Sequence, residues 1–272
     1  MFAALVGCGL ACAPASAQQA GQPLWELGLG VAGLHLPHYR GSEQSHGWLL
    51  PVPYAVYRGP ILRADRDGAR AVLFDSERVN IDLSLAAGAP TKSRDNRARA
   101  GMPDLAPTVE FGPNLNLTLA QGPAWKLQAR LPLRAVFTLR SDPQGVGYST
   151  SPVLNLDLRV QGWNLGLQGG PLAASQRLHA YYYSVDPAYA TATRPAYVAP
   201  SGSAGWRFTL GTSRRLGDFW LGGFVHADSL TGARFDDSPL VTRRHHVAAG
   251  FALSWVFARS SQQVAPDVAD RH

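Results

Sequence analysis

After residue 23, apolar and polar residues alternate one by one along much of the chain. Val79-Asn80-Ile81-Asp82-Leu83-Ser84-Leu85 alternates without a fault, and so does the run from Leu154 to Gln161. Between Leu127 and Arg140 the odd positions carry Leu, Ala, Leu, Leu, Ala, Phe and Leu, while the even ones carry Gln, Arg, Pro, Arg, Val, Thr and Arg. The last run sets Val247, Ala249, Phe251, Leu253, Trp255 and Phe257 on one side. Successive strand side chains point to opposite faces, so each run predicts a strand with one apolar and one polar or small face. Helical periodicity of comparable strength is absent, and Gly and Pro are too dense for long helices.

An apolar strand face fits either the core of a soluble sandwich or lipid, and three features favour lipid. Many runs last longer than the 5–6 residues usual in globular strands and reach the 9–11 tilted residues that span a bilayer. Aromatics gather near strand ends (Trp25, Tyr54, Tyr57, Trp125, Trp163, Trp206, Phe219, Trp220, Trp255, Phe257), where an interfacial girdle lies. The connections also sort by length. Strands are predicted at 24–36, 48–57, 60–65, 69–74, 78–88, 106–119, 124–140, 148–161, 163–175, 204–216, 218–230 and 245–257. The long connections then fall on one side and the short turns on the other, with both termini on the short side. That is the asymmetry of an outer-membrane barrel with short periplasmic turns and long extracellular loops. The pair 60–65 and 69–74 is too short to span alone, and merging it would make the count odd. The expectation is an all-β, antiparallel transmembrane β-barrel of about twelve strands.

Composition supports this. Only 16% of the 272 residues are charged, against about 25% in soluble domains. Past residue 17 no apolar run approaches the 18 residues of a helical span, and seven Trp, nine Tyr and ten Phe argue against disorder. Residues 1–17 carry no charge and end in Ala15-Ser16-Ala17, a small-x-small signature that predicts a signal peptide cut between Ala17 and Gln18. A competing reading places a lipoprotein cleavage at Cys8. Both cysteines, Cys8 and Cys12, lie in this segment, so the mature chain would have no thiol catalyst, disulfide or Cys-ligated metal. The predicted organisation is a signal peptide at 1–17, a barrel at 18–257 and a polar tail at 258–272.

Several short stretches occur in a telling order: Tyr39-Arg40-Gly41-Ser42 after the first strand, Pro51-Val52-Pro53-Tyr54 in the second, a Gly68 hairpin, Gly101-Met102-Pro103-Asp104, Asp228-Ser229-Leu230, and Asp236-Asp237-Ser238-Pro239-Leu240 before the last strand. Together they resemble the MltA-interacting protein family, also called MipA/OmpV, of Gram-negative outer-membrane proteins, over roughly residues 24–257. The resemblance implies a barrel without enzymatic chemistry of its own, placed in outer-membrane lipid and lipopolysaccharide. It also implies a scaffold joining a lytic transglycosylase to a murein synthase in peptidoglycan remodelling, with surface adhesion or porin-like conduction as alternatives. On this reading Tyr39, Gly41, Ser42, Asp236, Asp237 and Ser238 are candidate loop contacts. Two departures stand out: Phe257 is followed by the tail, and 184–203 lacks the expected Tyr-Phe-Gly element.

Other motifs read more plainly. Gly28-x-Gly30-x-x-Gly33 matches a dinucleotide fingerprint, but HLPHYRGS follows where a helix is required. His226, Asp228 and Ser229 form the one compact acid–base–nucleophile group, a remote pointer to a lipid hydrolase. On a strand Ser229 faces away from the other two, so Asp228 and Ser229 are expected to end the strand and begin a turn. His35, His38, His46, His245 and His246 are expected to be polar loop residues rather than a metal site. Asp65-Arg66-Asp67-Gly68 reads as a hairpin turn, since the later ligands of a calcium loop are missing. No catalytic residue, cofactor or metal is expected. The net charge is +6. Export argues against nucleic acid as the reason. Arg130, Arg134, Arg140 and Arg159 fall on polar strand faces and are candidate lumen-lining or rim cations, suited to small anionic solutes if the barrel conducts.

Overall fold

The alternating runs form one antiparallel sheet that closes on itself. The computed structural model describes residues 21–65 and 68–264; the predicted signal peptide, its cleavage point and most of the tail lie outside them. Twelve strands follow in chain order: β1 (Trp25–Pro37), β2 (Ser45–Arg58), β3 (Leu62–Asp65), β4 (Gly68–Asp75), β5 (Val79–Gly88), β6 (Thr108–Gly122), β7 (Trp125–Thr138), β8 (Gly145–Thr150, continuing as Val153–Val160), β9 (Trp163–Ala174), β10 (Gly202–Leu216), β11 (Phe219–Ser229) and β12 (His245–Arg259). Each pairs with the next, and β12 pairs with β1 through contacts such as Ala252↔Ala32. The short pair 60–65 and 69–74 forms the separate hairpin β3–β4, so the count is twelve. Among the described residues no helix is long and apolar enough to cross a membrane.

The predicted strand 148–161 starts earlier and is broken at Ser151-Pro152, because Pro152 has no N–H for the ladder. Gly170 of β9 accommodates the break: a Cβ there would lie 1.9 Å from the Pro152 carbonyl oxygen. The predicted 124–140 ends two residues earlier, which puts Leu139 and Arg140 in a loop. The closing strand runs two residues past Phe257. The short strand Gln263–Val264 then pairs with Gln22–Pro23, tying the two ends of the barrel chain together on the short-turn side.

The outer surface carries Leu29, Leu49, Leu131, Leu133, Phe251 and Leu253, all exposed. A continuous apolar band of this kind is unfavourable in water and fits a bilayer. Exposed aromatics mark both of its edges, with Tyr57, Trp125, Phe219 and Trp255 near the short turns and Phe111, Tyr148 and Trp206 near the long loops. The inner face is polar, with Asp82, Asn116, Gln128, Asn155 and Thr209 buried. The main buried apolar cluster is not inside the barrel wall. Its members, including Tyr39, Leu105, Tyr183, Leu230, Phe235 and Leu240, come largely from the long loops.

Candidate functional site

Four long loops fold together over the outer mouth: 38–44, 89–107, 175–201 and 230–244. The 175–201 loop begins with a helix that the alternation did not announce, α1 (Gln176–Tyr183). The Ser175 side chain caps it by accepting the Leu178 N–H, which satisfies a donor otherwise left open in the first turn. Leu178 packs with Val136 and Val146 at the upper end of the lumen. Gly147 permits this approach: its φ is +129°, and a Cβ would meet Ser175 Oγ at 2.3 Å. At the end of the helix Tyr183 stacks on Phe235, ring centroids 3.7 Å apart.

Polar bonds join these loops in pairs. The Tyr39 hydroxyl donates to the Leu240 carbonyl (2.7 Å) and the Tyr183 hydroxyl to the Arg40 carbonyl (2.9 Å). Ser238 Oγ donates to the Tyr183 carbonyl (2.7 Å), and Asn96 Nδ2 donates to Ser42 Oγ (2.9 Å). The buried Arg99 reaches the Tyr182 carbonyl (3.0 Å), while Arg194 donates to the carbonyls of Ala98 and Ala100 (both 2.9 Å). Burial pushes the Tyr39 hydroxyl up to about 12 and raises Tyr183 as well, so both stay protonated donors. Gly41 takes φ +96°, and its carbonyl accepts from the N–H groups of Thr242 and Arg243.

The candidate loop contacts are therefore engaged by other residues of the same cap. Tyr39, Gly41, Ser42 and Ser238 are buried in the cap. Asp237 accepts from the Tyr197 hydroxyl at 2.5 Å, and Asp236 lies 3.8 Å from Arg244. Alternation could not reveal Tyr183, Phe235, Arg99 or Arg194, because their roles arise only when distant loops meet.

His179 of α1 gives the cap a pH response. One ring nitrogen contacts the Pro200 carbonyl at 2.6 Å, and the other is buried without a partner. Burial lowers its pKa, aided by the charge of Arg40 and opposed by the Pro200 bond. A lowered histidine favours the folded state fully above its unfolded value of about 6.5, and this contribution is lost as pH falls below that value. The loops of the intact protein are expected to become more sensitive to protease as pH falls below about 6.5, and His179→Gln should flatten that dependence.

Beneath the cap, a cavity of about 440 Å³ is lined by seven cationic side chains and three aspartates. Arg130, Arg134 and Arg159 are among them. Arg130 Nη2 lies 3.2 Å from Gln128 Oε1, and Arg134 Nε donates to Ser84 Oγ at 3.1 Å. Arg140 instead sits at the rim and donates to the Asp104 carbonyl (3.0 Å). Near the short turns, Glu26 binds Arg58 (2.9 Å) and Arg215 (2.6 Å).

Asp228, read from sequence as a strand cap, is instead a buried hub. It accepts from Arg40 Nε (2.8 Å) and Arg207 Nε (3.0 Å), with His246 Nε2 at 3.3 Å. It faces inward from β11 and gathers partners from the 38–44 loop, β10 and β12. His226 contacts Thr209 (2.7 Å) and Ser229 Oγ accepts weakly from the Thr231 N–H (3.4 Å), so the three residues form no relay. Of the histidines expected in loops only His38 lies in one, where it contacts Asn96 (3.1 Å); His35, His46, His245 and His246 are strand residues, and His46 packs on Trp48. Among the described residues no group of three or more His, Cys, Asp or Glu is placed to hold a metal.

Comparison with curated protein sequences finds no match. Among solved structures, the chain is similar to the COG4313 outer-membrane channel of Pseudomonas putida F1, with 11% identity, 89% of this chain and 98% of that one covered, and a TM-score of 0.45. It is also similar to the CymD monoaromatic hydrocarbon channel, with 11% identity, coverage of 87% and 89%, and a TM-score of 0.37. For the outer-membrane phospholipase A of Escherichia coli the identity is 9%, the coverage 86% and 93%, and the TM-score 0.33. No residue role is carried over from any of them. The family model described as MltA-interacting protein MipA matches residues 29–257, the span that builds nearly the whole closed barrel and its cap. The chain belongs to the MltA-interacting protein MipA family and is a twelve-stranded β-barrel of the outer membrane.

Proposed function

We propose that the protein is a non-enzymatic interaction protein of the peptidoglycan-remodelling machinery, holding an MltA-type lytic transglycosylase at its periplasmic rim. Through that enzyme it engages a murein synthase. The observation that carries the reading is the family match over residues 29–257. The long loops pack into one cluster over the outer mouth, while the other side presents its periplasmic turns and the Gln22–Pro23 and Gln263–Val264 pair to a periplasmic partner. A photo-crosslinking residue placed at Asp218, in the periplasmic turn between β10 and β11, should capture the transglycosylase in intact cells. One placed at the exposed Val198 of the outer loop should not. Capture at neither position would remove the proposal.

A second reading, a channel for small anionic solutes, is favoured by one observation: the excess of cations in the lumen. Such a wall raises the local concentration of anions. Steady anion-selective openings of the unaltered protein in planar bilayers would favour this reading; silence would favour the first.

A further inference from the structure

Strand β2 breaks the alternation that the other long strands keep. Residues 48–53 read Trp-Leu-Leu-Pro-Val-Pro, apolar on both faces. The cause lies in the next hairpin. β2 has 14 residues and β3 has four, and they pair through Tyr57↔Ala64 and Arg58↔Arg63. Among the described residues β2 pairs on that side only through these two, so residues 45–53 have no strand there.

The unpaired edge is chemically marked. The Arg58 N–H donates to the Leu24 carbonyl, toward β1. N–H directions alternate along a strand, so residues 51 and 53 face the unpaired side, and both are proline. An edge without these donors resists the addition of a foreign strand. The opening is a window rather than a template for pairing.

Its frame is well defined. The β3–β4 hairpin lies below and β5 across. Above, the 38–44 and 89–107 loops are joined by Gln44 Nε2 donating to the Asp95 carbonyl (3.1 Å) and by Arg97 with Glu43 (2.9 Å). Leu50 pairs with Ala32 and shares its inward face, yet Leu50 is 42% exposed and Ala32 only 9%. The inner side of the edge is therefore open. Ala32 and Leu34 line a cavity of about 400 Å³ with Trp220 and Phe224, and Arg130 lines both this cavity and the cation-rich one beside it.

We propose that the window admits a long-chain fatty acid from the membrane, its alkyl chain against Leu34, Trp48 and Leu50 and its carboxylate at Arg130. An apolar strip continuous with the lipid-facing surface suits the chain; Arg130, which also lies 3.5 Å from Asp157, borders the neighbouring cavity whose cationic excess suits the acid. A volume of this size suits a ligand of that class. The inference goes beyond partner binding at the periplasmic rim and does not depend on it.

The test uses the full barrel in phosphatidylcholine liposomes with a palmitate carrying a photoreactive diazirine in its chain. Labelling should saturate, be displaced by unlabelled palmitate, and map to Leu34, Trp48 and Leu50. Arg130→Gln should raise the half-saturating concentration by about tenfold, as expected for a lost charge-assisted bond. Leu50→Asn should weaken labelling with Arg130 intact, and heat-modifiable gel migration verifies that each variant is folded. Non-saturating labels confined to the outward Leu49 and Pro51 would show surrounding lipid only and overturn the proposal. Equal saturable labelling by the corresponding long-chain alcohol would overturn the role of the carboxylate.

Discussion

Phe235→Ala is expected to open the outer mouth while the barrel stays intact. Phe235 is fully buried, stacked on Tyr183 and edge-on to His179 at 4.6 Å. Removing a buried ring costs about 3–5 kcal/mol, through lost burial and the cavity left behind. The strand ladders do not include Phe235, so the loss falls on the cap. Its loops are joined by a limited number of bonds, several of them to carbonyls on either side of this ring: Ser238 to Tyr183, and Tyr183 to Arg40. The variant should keep its heat-modifiable migration but be cut within 175–201 or 230–244 by protease added to whole cells. In planar bilayers it should show anion-selective openings that exceed those of the unaltered protein, because the exposed lumen is lined by seven cations and three aspartates. A variant as resistant and as silent as its parent would mean that the ring does not hold the cap.

The barrel was legible in the sequence because lipid and lumen impose opposite chemistry on successive residues. Val79–Leu85 or Val247–Phe257 carries that record locally, and no distant residue is needed to read it. The cap was not legible for the converse reason. Tyr39 bonds to a carbonyl 201 residues away, and Arg40 to a carboxylate 188 residues away; nothing near either residue announces the partner. Helix α1 is eight residues long, too short to establish a period of 3.6 against its surroundings. Asp228 read as a turn former because Asp and Ser favour strand ends. Its inward direction is shared with His226, but the groups that meet it, Arg40, Arg207 and His246, come from three other elements. The window lies between these cases. The apolar run 48–53 is plain in the sequence, yet its meaning depends on how far the adjacent hairpin climbs beside it.

Asp228→Ala should lower the stability of the whole barrel more than any surface ion-pair change. The Asp228 side chain is 2% exposed, with His246 5% and Arg40 19% exposed. Deleting one member of a buried charged group costs about 3–5 kcal/mol, chiefly because the remaining charges are left uncompensated in a poorly solvated place. Here Arg40 and Arg207 would face each other with no carboxylate between them. At about 2–4 °C per kcal/mol for a chain of this size, the temperature at which heat-modifiable migration changes should fall by roughly 6–20 °C. Asp228→Asn keeps an acceptor oxygen but turns an amide N–H₂ toward the guanidinium groups, so it should recover only part of the loss. Arg97→Ala is the contrasting control. Its pair with Glu43 is exposed on both sides, and exposed pairs contribute about 0–1 kcal/mol. Because Arg40 belongs to the 38–44 loop, the Asp228 variants should also release that loop to protease. Equal melting temperatures for Asp228→Ala and Arg97→Ala would show that the buried cluster contributes no more than a surface pair.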